Sequence, residues 1–262
     1  MMATTAADTA TITDSASRNR PTRIAVERVN GRARIRTLDR GYFLTARPLQ
    51  TSGSRIRIAL IGVHMSLLGG DVIDLRIRAD DGVTVELIEP VGLVAYNAEG
   101  RRADWRLSAS LGTGAALIWH GCQFIAAQGS NAHRRVDLEL DEQARALFME
   151  TLVLGRSGET DVQLRSRNHV TQTGSELLVE DLDLNPRTRH APGLIGPAKA
   201  ISTVIAAGWR PEGNPEDPNR LDLAGPGALY RALANGAHAT ENIVKPVFTH
   251  WHNEILQTRR QN

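Results

Sequence analysis

The stretch Glu150-Thr151-Leu152-Val153-Leu154-Gly155-Arg156-Ser157-Gly158-Glu159 decides how the fold is read. Its first half places apolar or β-branched side chains on both faces of an extended chain, so other layers must cover it on two sides. Gly155 then breaks the run, and Arg156 to Glu159 form a charged, glycine-rich turn. Gly155, Arg156 and Gly158 read as a structural corner. Glu150 is the awkward residue. A carboxylate inside an apolar strand needs an arginine partner or a wet cavity, and Arg156, Arg165 and Arg167 are the nearby candidates.

Working outward, turn signals recur at fairly even intervals, among them Gly69-Gly70-Asp71, Asp80-Asp81-Gly82, Gly112-Thr113-Gly114 and Thr173-Gly174. Short alternating runs lie between them. Ile73, Leu75 and Ile77 oppose Asp74, Arg76 and Arg78. Trp105, Leu107 and Ala109 oppose Arg106, Ser108 and Ser110. Val136, Leu138 and Leu140 oppose Asp137 and Glu139. Many short strands with regular turns predict an all-β sandwich, barrel or coiled solenoid. The repeat is one of rhythm and not of identity.

The two ends differ from this body. Residues 1–20 are rich in Thr, Ala and Ser and read as a disordered tail. Residues 21–224 form the expected all-β body. Within it, Asn30-Gly31 predicts a hairpin turn, Arg32, Arg34 and Arg36 guard an exposed strand face, and Ala198 to Ala207 reads as a strand returning to the body. Residues 225–262 are expected to be a helical extension for partner binding. Ala228 to Ala234 reads as one short helix, and Glu241 to Gln257 as a second, with Thr240 as its N-cap and Pro246 kinking or splitting it. Ile243, Val247, Trp251 and Ile255 fall on one helical stripe, widened by Val244, Phe248 and Leu256. This stripe either packs on the chain's own β body or fills a partner's groove, with Phe248, Trp251 and Ile255 as the anchors.

Composition excludes several classes. The 262 residues carry a formal net charge of +2, so no global field argues for nucleic acid or membrane. The longest apolar stretch, Ile56 to Leu68, is interrupted by Arg57 and His64 and is too short to span a bilayer, and the N-terminus has no continuous apolar segment of the secretory kind. Cys122 is the single cysteine, which fits a reducing cytoplasm. His120-Gly121-Cys122 would project two ligands to one face of a strand, about 7 Å apart. Structural zinc needs four ligands, so no stable metal site is predicted. No G-x-S-x-G, P-loop or dinucleotide fingerprint is present. A β-solenoid carbohydrate-binding or carbohydrate-active protein is the alternative, but it wants paired acids on a groove rich in aromatics, and only 4% of residues are aromatic. The residues favour a binding or scaffolding protein over an enzyme.

Several pieces, in this order and spacing, resemble the urease accessory protein family UreD, also called UreH. They are Gly69-Gly70-Asp71, Gly112-Thr113-Gly114-Ala115 leading to Leu117-Ile118-Trp119, and Ala132-His133-Arg134-Arg135. Then come the stretch 150–159, Arg165-Ser166-Arg167, Leu177 to Asp181, Gly225 to Leu229, and the segment holding Pro246 and Trp251. Residues 92–96 and 119–122 depart from the family's usual elements. The resemblance implies a mainly β, coiled, β-helix-like stack of short strands with two C-terminal helices, and no enzymatic activity. It implies binding to the urease apoprotein and to UreF, with UreG reached through UreF, as a dimer of heterodimers with UreF in the cytoplasm. No cofactor is tightly bound; nickel is in transit, on its way to the urease active site through a water-filled passage. Asp71, Glu150 and Glu159 are the candidate residues of that passage.

Overall fold

The chain winds back and forth between two sheets, as a computed structural model of residues 20–64 and 66–258 describes it. The tail expected at 1–20 lies outside the described residues, Arg20 excepted. Two hairpins open the fold. β1 (Thr22–Val29) and β2 (Arg32–Asp39) pair antiparallel around Asn30-Gly31, whose φ values of 50° and 76° suit the tight turn that Asn-Gly favours. β3 (Leu44–Ser52) and β4 (Arg55–Gly62) form the second hairpin, in the other sheet.

From there successive strands alternate between sheets. β6 (Val72–Ala79), β9 (Ala103–Leu111), β11 (Asn131–Leu140) and β13 (Gln163–Gln172) lie parallel in the first sheet, with β1 joining β6 in parallel. β7 (Thr84–Ile88), β10 (Ala116–Ala126) and β12 (Arg145–Leu154) lie parallel beside β4 in the second. The short β5 (Ser66–Leu67) and β8 (Leu93–Ala95) pair with each other, and β8 with β10. Antiparallel strands close the winding. β14 (Ser175–Asp183) folds back on β13, while β15 (Ala200–Ala207), β17 (Gly227–Ala234) and β16 (Arg220–Asp222) extend the second sheet beyond β12. The result is a seven-stranded sheet stacked on a ten-stranded one, a mainly β, coiled stack as the sequence rhythm and the family resemblance together imply. One helix, α1 (Ala237–Thr258), follows.

Inward-facing residues of both sheets make the main core, where Trp105, Trp119 and Phe148 stack in line at centroid spacings of 5.6 and 6.0 Å. A second apolar layer covers the far face of the ten-stranded sheet. There Ile118, Leu147, Met149 and Val204 meet Val244, Phe248, Trp251 and Ile255 of α1. β12 and β15 are thus buried on both faces, which is why they read as continuous apolar runs. The start of α1 is pinned by a buried hydroxyl chain: Thr151 Oγ1 to Ser202 Oγ at 2.8 Å, then Ser202 Oγ to Thr240 Oγ1 at 2.7 Å.

Three details of the C-terminal region differ from the sequence reading. Residues 228–234 form β17 and not a helix, so there is one C-terminal helix and not two. Ala and Leu favour a helix locally. Here Ala228, Tyr230 and Ala232 pack in the layer beneath α1 while Leu229 packs in the main core, a period of two that only a strand satisfies. Thr240 is not an N-cap; it lies inside the helix, and its hydroxyl donates to the Ala237 carbonyl at 2.9 Å. Pro246 does not split the helix, which runs unbroken past it with the proline exposed.

Candidate functional site

Between the sheets, among apolar neighbours, runs a line of polar side chains. Most sit at positions whose strand neighbours on the same face are apolar; Asn168 has the buried Ser166 on one side. Arg134 shares the inward face of β11 with Ala132, Val136 and Leu138, and Glu150 shares that of β12 with Phe148 and Leu152. The two form an ion pair with Arg134 Nη1 directed at Glu150 Oε2, both side chains almost wholly buried. The Arg134 guanidinium also lies over Trp105 and Trp119, 4.8 and 5.5 Å from their ring centroids. Asn168 of β13 donates to Glu150 Oε1 at 2.9 Å and to Glu180 Oε2 at 3.3 Å. Glu180 of β14 then accepts from Arg231 Nη2 of β17 at 2.7 and 2.9 Å, and Arg231 Nε donates to Thr203 Oγ1 of β15 at 3.0 Å. The line therefore crosses six strands and both sheets.

At its Arg134 end the line borders a cavity of about 40 Å³, bounded by Glu89, Trp105, Trp119, Cys122, Arg134 and Glu150 among others. That is room for ordered water. Glu89 accepts from the Cys122 amide at 2.9 Å, and burial pushes its carboxyl above the usual range despite that bond and the nearby Arg134. Burial likewise raises the Cys122 thiol. Ser166 Oγ and Asn168 Oδ1 are buried without a protein partner, so the line has spare polar capacity of the kind water fills. Such a strip can hold ordered water; it has no nucleophile–base pair of the kind hydrolysis uses. Among the described residues no group of three or more His, Cys, Asp and Glu side chains is placed to hold a metal ion.

The residues singled out from the sequence fall in different places. Glu150 is on the line, but its partner is Arg134 and not Arg156, Arg165 or Arg167. Asp71 secures the turn before β6, accepting from the Leu68 amide at 2.9 Å. Glu159 closes the corner after β12. It accepts from Arg156 Nε at 2.9 Å and Nη2 at 2.7 Å, and from the Arg156 and Gln128 amides at 2.8 and 3.0 Å; these bonds hold its carboxyl below the usual range. Gly155 and Gly158 turn this corner at φ values of 86° and 81°, and a Cβ on Gly155 would lie 2.8 Å from the Glu159 carbonyl oxygen. Phe248, Trp251 and Ile255, expected as partner anchors, are buried against the chain's own ten-stranded sheet. Apart from Ile243, which stays exposed, their stripe packs internally, and α1 turns Asn242, Lys245 and Thr249 outward. His120 and Cys122 do not make a ligand pair, because a register shift in β10 between His120 and Gln123 breaks the simple alternation. His120 stacks on Phe248 at 5.2 Å. All four tryptophans are buried, so they offer no aromatic groove for a carbohydrate.

Arg134, Asn168, Glu180, Arg231 and Glu89 escaped the sequence reading. The signal was present for Arg134, Glu180 and Arg231, which break apolar faces at period two between Ala132 and Val136, Leu178 and Leu182, and Leu229 and Leu233. Asn168, beside Ser166, and Glu89 gave no comparable sign.

No helix among the described residues is long and apolar enough to cross a membrane. Comparison with known proteins gives one family: the model of the UreD urease accessory protein matches residues 21–261. The protein called urease accessory protein UreD 1 of Streptomyces griseus subsp. griseus is 44% identical over 236 residues, covering 89% of this chain and 92% of that protein. The urease accessory protein UreD of Streptomyces coelicolor is 31% identical over 212 residues, with 74% and 81% covered. That of Jannaschia sp. is 30% identical over 199 residues, with 69% and 73% covered.

Proposed function

Because this chain belongs to the UreD family of urease accessory proteins, we propose that it is a non-enzymatic scaffold that helps load nickel into urease. In this reading it binds the urease apoprotein and UreF, reaches UreG through UreF as a dimer of heterodimers, and works in the cytoplasm. Nickel is its cargo and not a resident cofactor.

The observation that carries this reading is the buried polar line through Glu150. A sandwich that only scaffolded partners would fill that layer with apolar side chains at no loss of stability. A passage must instead bind its ion weakly enough to let it go. The Arg134–Glu150 pair suits that demand. Its guanidinium already neutralises the carboxylate, so an arriving cation competes with a resident charge and meets no preformed cage. Asp71 and Glu159, the other two passage candidates, are engaged in the turn before β6 and the corner after β12 and lie off this line.

The test is expression of a urease operon with and without this chain. The reading predicts nickel-poor, inactive urease in its absence and activity on its return. Equal nickel content and activity in both would overturn it.

A further inference from the structure

The outer face of the seven-stranded sheet carries a charge pattern that neither the core nor the proposed function uses. Strand register sets five side chains side by side across β6, β9, β11, β13 and β14: Asp74 opposite Arg106, Arg106 opposite Arg135, Arg135 opposite Arg167, and Arg167 opposite Asp181. Three arginines on adjacent strands repel one another, a pattern that weakens a sheet unless something else answers it. Their own neighbours answer it only in part. Arg106 reaches Asp104 at 3.2 Å and Arg135 reaches Asp137 at 2.5 Å, each leaving further N–H groups free. Arg167 faces Asp181, but both oxygens of Asp181 already accept from Arg165 at 2.7 and 2.8 Å; Arg167 is half-buried, and its Nε is buried without a partner. An open depression of about 800 Å³ lies over this row.

We propose that this row is a docking site for a short acidic helix of a protein partner. Strand spacing places Arg106 and Arg167 about 9.6 Å apart. A helix lying across the strands spans about 10.5 Å from i to i+7, with i+3 or i+4 between. Three carboxylates at those positions therefore meet the three arginines. The aspartates at the two ends set the length. Each is already held by an arginine of the same face, Asp74 by Arg76 at 2.7 Å and Asp181 by Arg165 at 2.7 and 2.8 Å, so they end the run of arginines without calling for a basic partner residue, and they disfavour a continuous polyanion such as nucleic acid.

The test uses the full chain and a synthetic helical peptide with Glu at i, i+3 and i+7, read by fluorescence anisotropy. A scrambled peptide of the same composition and a single-stranded oligonucleotide serve as competitors. Binding of the patterned peptide should weaken by about tenfold or more in Arg135→Glu. Arg135→Gln, which only deletes the charge at this exposed position, should weaken it in the same direction. Both competitors should fail. Equal binding of the scrambled peptide, displacement by the oligonucleotide, or unchanged affinity in both Arg135 variants with an unshifted melting temperature would overturn the proposal.

Discussion

The two sheets share one core, yet their outer faces are opposites. Behind the ten-stranded sheet lie Leu147, Met149 and Val204, sealed by Phe248, Trp251 and Ile255 of α1. The seven-stranded sheet turns outward Arg76, Arg106, Arg135 and Arg165, paired along or across the strands with Asp74, Asp104, Asp137 and Asp181. Parallel strands normally need cover on both faces. The covered sheet meets that need with apolar packing from its own chain, and the bare one with charge. Stability is therefore concentrated on one side of the molecule, and the free surface on the other.

This asymmetry can be broken in graded steps. Trp251→Ala, which empties a buried site under α1, should cost about 3–5 kcal/mol, whereas Arg76→Ala on the bare face should stay within about 0.5 kcal/mol. Urea unfolding of the two variants measures the contrast directly; equal losses would mean that the helix is not what seals the sheet. Next comes the pair between the sheets. Glu150→Leu alone strands a buried guanidinium and should cost about 3 kcal/mol or more, while Arg134→Met with Glu150→Leu should recover most of that loss. A double variant as weak as the single would show that the pair itself is needed for stability. Ser202→Ala interrupts the hydroxyl chain that ties β12 and β15 to α1 and should cost about 1–3 kcal/mol, with hydrogen exchange rising first in the opening turn of the helix.

The smallest effect belongs to the corner. The folded-state carboxyl of Glu159 is held low by the Arg156 guanidinium and by two amides. Its contribution is therefore present above the unfolded value, about pH 4.3, and is lost as pH falls through the folded value. Glu159→Gln should flatten that part of the acid limb of a stability curve and leave neutral pH nearly untouched, since the site is solvent-screened. An acid limb unchanged by the substitution would remove Glu159 from the account.

Much of this was legible in the sequence because period-two alternation is a local signal. The double-sided run at 151–154 demanded cover on two faces and has it, from the facing sheet and from α1. Ala200–Ala207 is a strand for the same reason. What escaped was non-local. Arg156, Arg165 and Arg167 stood close to Glu150 in the chain, but coiling brings up Arg134 from the preceding strand of the opposite sheet instead. Gly227–Ala234 carries helical propensity and becomes a strand because β15 and β16 flank it and both of its faces find apolar partners. Trp251 and Phe248 suit a partner's groove as well as a core, and only the fold decides between the two.

The central claim is that the buried polar line serves nickel delivery and not stability. The most direct test is nickel content per urease active site after co-expression with the Arg134→Met, Glu150→Leu double variant. Its recovery of stability separates folding from passage. The account predicts a folded variant that still co-purifies with its partners and leaves urease poor in nickel. Full nickel loading by that variant would contradict it.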